Sequence, residues 1–100
     1  MTSPEPLQQL SQQFSRIATA VDARNARVPD TLAAAHALCA QTASQQTCAT
    51  KTLLDDLTHR LAVWREVWPR LGQDTGFRTA VSREARLWAA KLRTESPGPR

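Results

Sequence analysis

A chain of one hundred residues with three glycines, no tyrosine and a formal net charge of +4 is large enough for one domain with a modest core. Sixteen alanines, with abundant leucine, glutamine and arginine, favour helix, and no segment gathers the β-branched and aromatic residues of a strand. No apolar run is long enough to span a bilayer, and no basic region followed by an apolar stretch marks a secretory signal. The expected setting is therefore cytoplasmic, with reduced thiols and no membrane contact.

Met1-Thr-Ser-Pro-Glu-Pro6 is turn-forming, and its prolines can lead into a helix but cannot sit within one. From Leu7 the apolar positions run Leu7, Leu10, Phe14, Ile17, Val21 and Val28, three and four apart, with Arg24 in the one missing slot. That spacing predicts a first helix with a heptad-like seam against a neighbour. Pro29 is expected to stop it, and Asp30 and Thr31 offer caps to a second helix. The second helix shows a narrow stripe of Leu32, Ala35, Cys39 and Ala43, and a break is expected near 44–46.

A third helix is predicted from about Lys51 to Trp68. Its residues Leu53, Leu54, Leu57, Leu61, Trp64, Val67, Trp68 and Leu71 fall within an arc of roughly 140°. Pro69 and Gly72 are expected to end or kink it, and Asp74, Thr75 and Gly76 to supply the turn. The last helix carries Phe77, Val81, Ala85, Trp88 and Leu92 on one side. The expected fold is all-α, a small antiparallel up-and-down bundle of four helices, or three if the second and third are continuous. It forms one domain over 1–100, with flexible tails at about 1–5 and 95–100.

Chemistry finds little foothold. His36, Cys39, Cys48 and His59 are the right number for a zinc site, but their spacings match no finger or ribbon. Free thiols are the expectation, and only a hairpin between Cys39 and Cys48 would permit a disulfide. No glycine-rich phosphate loop exists, and the adjacent Asp55 and Asp56 point to different sides of a helix. No catalytic residue, cofactor, metal or small-molecule ligand is expected.

Binding surfaces offer more. The net charge lies wholly in the second half, where ten basic residues face six acidic ones. Arg78, Arg86 and Arg93 lie within a stripe of roughly 80° on the last helix, with Arg83 beside them. The register of glycines and apolar residues around 72–87 departs from that of a helix-turn-helix, so the stripe stands on its charge alone. Leu87 falls outside the core arc of its helix and is a candidate surface contact. The Leu10, Phe14, Ile17 and Val21 seam is a second candidate interface. It lacks an obvious cover, because the third and fourth helices can satisfy each other through their aromatic residues. The expected function is that of a non-enzymatic helical module that binds a protein partner, either a second copy or a different chain. The alternative is a nucleic-acid-associated protein using the arginine stripe.

Overall fold

The computed structural model describes residues 6–24, 26–45 and 48–95, and the side chains of residues 7–24, 26–45 and 51–94. They form four helices and no strand: α1 (Pro6–Asp22), α2 (Val28–Ala43), α3 (Cys48–Leu71) and α4 (Thr75–Glu95). The expected tails lie outside the described residues, apart from Glu95, which closes α4. The second and third helices are separate, so the arrangement is the four-helix one.

Neighbours run antiparallel. Ser11 meets Ala89 while Asp22 meets Ser82, and Cys39 meets Leu54 while His36 meets Arg65. The helices stand along a long axis of 42 Å with a cross-section of 22 × 20 Å.

Four helix boundaries differ from expectation. The first helix ends at Asp22, not at Pro29, and Arg24 takes a left-handed φ of 55° in the turn that follows. Arg24 is thus exposed in a loop rather than filling a slot of the seam. Pro29 lies in the first turn of α2, because its missing N–H is harmless there, where no intrahelical acceptor is available. Arg27 rather than Asp30 or Thr31 occupies the cap position, and Thr31 donates through its N–H and its hydroxyl to the Arg27 carbonyl at 2.9 and 3.1 Å. Pro69 is accommodated in the last turn of α3, which closes when the Gly72 N–H donates to the Trp68 carbonyl at 2.8 Å. Gly72, Gln73 and Asp74 make the next turn, and the Asp74 carboxylate accepts from the Phe77 N–H at 2.9 Å, so Thr75 and Gly76 lie inside α4.

The core gathers Phe14, Ile17, Leu57, Leu61, Trp64 and Val81, all buried, and Phe14 meets Trp64 edge-on at 6.4 Å. Side-chain size decides which helices lie close. α1 packs extensively on α4 and α2 on α3, whereas α3 and α4 barely approach each other. At the α1–α4 contact the Ser11 hydroxyl donates to the Ala89 carbonyl at 2.6 Å, and Ala18, Ser82 and Ala85 of these two helices are small and buried. Ala35, Cys39 and Ala43 give α2 a similar buried row of small side chains, with Cys39 meeting Leu54 and Thr58 of α3. Bulky rings separate α3 from α4, with Trp68 and Phe77 centroids at 5.8 Å and Trp88 only half-buried.

Candidate functional site

The first-helix seam is covered from within the chain. Leu10, Phe14 and Ile17 are fully buried and Val21 nearly so, which corrects the expectation that this face awaits a partner. The reason lies in the small residues of α4: they bring α1 onto α4, so the third and fourth helices do not satisfy each other alone.

The arginine stripe divides. Arg78 donates to the Gly72 carbonyl at 2.5 Å and to the Val21 carbonyl at 2.9 Å, and its guanidinium stands 5.3 Å over Trp68. It therefore ties the C-terminal ends of α1 and α3, where unsatisfied carbonyls concentrate negative potential. Arg86 forms an ion pair with Asp22 and donates to the Ser82 hydroxyl at 2.5 Å, while Ser82 donates to Asp22 at 2.7 Å. The hydrogen bond from Arg86, then that from Ser82, holds the Asp22 carboxyl below its usual range. Both arginines have internal tasks. Arg83 and Arg93 are exposed and form no ion pair among the described residues. Arg93 shares a polar surface cleft of about 510 Å³ with Arg16 of α1.

Leu87 is 64% exposed, the most exposed large apolar side chain among the described residues. Glu84, Leu87, Trp88 and Lys91 wall a shallow cleft of about 280 Å³ around it. Glu84 Oε1 accepts from Arg60 of α3 at 2.6 Å and from the Trp88 indole at 3.3 Å. Arg60 also pairs with Asp56, and its guanidinium and the Lys91 ammonium stand 5.7 and 5.3 Å from the Trp88 ring. Across this bridge, Val63 is 41% exposed in a second cleft of about 320 Å³ with Asp56, His59, Arg60 and Trp64. Two exposed apolar side chains and a half-buried tryptophan thus flank the Arg60–Glu84 bridge between α3 and α4. Val63 and the Arg60–Glu84 bridge were not singled out in the sequence. The available signal was that Val63 lies off the apolar arc of its helix, as Leu87 does on the last.

No group of three or more metal-ligating side chains occurs among the described residues. His36 Nδ1 lies 3.4 Å from Arg65, and His59 sits apart in the second cleft. Cys39 is a buried free thiol that donates to the Leu54 carbonyl at 3.4 Å and accepts from the Thr58 hydroxyl at 3.2 Å. Burial pushes its pKa up, which disfavours the reactive thiolate. The side chain of Cys48 lies outside the described residues. No helix among the described residues is long and apolar enough to cross a membrane. No protein family, curated protein or solved structure matches this chain.

Proposed function

We propose that this chain is a non-enzymatic helical interaction module whose docking surface is the outer face of the α3–α4 pair. The observation that carries this is Leu87, an exposed leucine beside a half-buried tryptophan, with Val63 on the adjoining helix. Interface energy concentrates where an apolar or aromatic anchor is ringed by polar groups that exclude water, and Arg60, Glu84 and Lys91 supply such a ring. The test is a photoreactive benzophenone amino acid placed at position 87 in the native host, with Thr19 on the exposed side of α1 as control. Protein adducts are expected at position 87 and not at position 19. Equal labelling at the two positions would overturn the reading.

A second reading keeps a nucleic-acid backbone as the partner. It is favoured by Arg16 and Arg93 sharing one cleft, with Arg83 exposed on the same helix as Arg93. Affinity for duplex DNA or RNA that falls steeply with salt would support it, and no binding at low salt would remove it.

A further inference from the structure

We propose that the partner of this face is a second copy of the same chain, docked through an antiparallel α4–α4 contact on a two-fold axis between Leu87 and Trp88. The inference rests on reading the face as a protein-docking surface and names its occupant.

The cleft around Leu87 is walled by Glu84, Leu87, Trp88 and Lys91, positions i, i+3, i+4 and i+7 of one helix. Four residues in that relation form the hole that accepts a knob from a facing helix in coiled-coil packing. The centre of the hole lies midway between Leu87 and Trp88. Leu87 of a second copy, entering it, sets an antiparallel register in which Leu87 stands opposite Trp88 and Glu84 opposite Lys91. The pattern is its own complement: acid, leucine, tryptophan, base reads with opposite charge when the helix is reversed. A two-fold contact needs this property, since one patch must serve both subunits. Glu84 also has an oxygen to offer, because Arg60 and the Trp88 indole both bind Oε1 and no hydrogen bond to Oε2 is present among the described residues. A different protein would have no need of this palindromic order.

Sedimentation equilibrium of the purified chain from low-micromolar to near-millimolar concentration tests the proposal, with circular dichroism to verify helix content in each variant. The wild type is expected to approach twice the 11.1 kDa chain mass. L87E is expected to stay monomeric and folded, because the side chain it replaces is mostly solvent-exposed. E84K sets lysine against Lys91 of the other copy and K91E sets glutamate against Glu84, so each is expected to weaken association roughly tenfold or more. The double variant E84K/K91E is expected to recover it, although the internal bridge to Arg60 stays lost, and loss of that bridge alone predicts no recovery. A single-chain mass at every concentration, a dimer indifferent to L87E, or failure of the double variant to recover would overturn the proposal. The photoreactive probe separates the two levels: adducts only of another mass sink the homodimer and leave the docking face standing, whereas no adducts sink both.

Discussion

Replacing Arg78 with alanine removes a side chain that joins two helix ends rather than one that faces solvent. The guanidinium gives charge-assisted hydrogen bonds to the Gly72 and Val21 carbonyls and stacks on Trp68. Each such bond contributes about 1.5–3 kcal/mol when fully sheltered. Arg78 is only half-buried, so water can replace part of that interaction in the variant. Discounting the bonds by about half and adding roughly 0.5–1 kcal/mol for the ring contact gives a loss of about 2–4 kcal/mol. For a chain of this length that lowers the melting temperature by roughly 10–20 °C. Arg78→Lys keeps the charge but not the planar fork that spans both carbonyls, and is expected to fall between wild type and alanine. Arg83→Ala is the control, because Arg83 is exposed and expected to move stability by no more than about 0.5 kcal/mol. Thermal and urea unfolding followed by circular dichroism measure all three. If Arg78→Ala melts alongside Arg83→Ala, Arg78 belongs to a free charged stripe, and the assignment of a tying role is wrong.

Leu61→Ala empties a fully buried core position and should lower unfolding free energy by about 2–5 kcal/mol, measured in urea; a loss below about 0.5 kcal/mol would place this face outside the core. Gly72→Ala and Gly76→Ala should move stability in opposite directions. A Cβ at Gly72 would meet the Trp68 carbonyl at 2.7 Å and its indole at 2.9 Å, and overpacking there is expected to cost about 1–3 kcal/mol. At Gly76 the nearest atom is the Asp74 carboxylate at 3.4 Å, and the helix gains up to about 1 kcal/mol from alanine; equal melting of the two variants would contradict this. Asp22 has its folded pKa lowered, so the stability its charge contributes is present above the ordinary carboxylate value and is lost as pH falls through the folded value. The pair is half-exposed, which limits the difference between wild type and Asp22→Asn to about 0–1 kcal/mol at neutral pH. That difference should begin to shrink below about pH 4 and vanish once the folded carboxyl is protonated, and one that persists beyond that point would place its origin elsewhere.

Helical period reports the direction in which a side chain points, and the core followed from it. Leu57, Leu61 and Trp64 are buried because their arc allows nothing else. Period does not report which neighbour fills that direction. The partner of the Phe14 seam is not legible in the sequence, because Ala85, Ala89 and Ser82, the small buried residues of α4, carry no strong hydropathy signal. Pro29 was ambiguous for a similar reason: a proline that cannot lie within a helix can end one or begin the next. The arginine stripe was visible as a face, but not as two functions. The partners of Arg78 and Arg86 lie as far away in sequence as Val21 and Asp22, 57 and 64 residues distant, and a backbone carbonyl has no sequence signature. Leu87 was legible because it violates its own helix's pattern.

Closure of the core between α1 and α4 has a consequence for the order in which the chain can become stable. The contact from Ser11 to Ala89 spans 78 residues, whereas α2 and α3 meet across a separation of only 15 at Cys39 and Leu54. During synthesis the central hairpin can pair early, and α2 and the Trp64 ring of α3 can take up part of the α1 seam, but its cover is completed only when α4 has been made. Until then the side of the Leu10, Phe14 and Ile17 stripe that faces α4 in the finished fold has no neighbour. A chain interrupted before Thr75 would retain that stripe permanently and be prone to aggregate or to be held by a chaperone. Cooperative stability is thus conferred late, by the last helix, and quality control that senses exposed apolar surface would read completion of α4 directly from the state of α1.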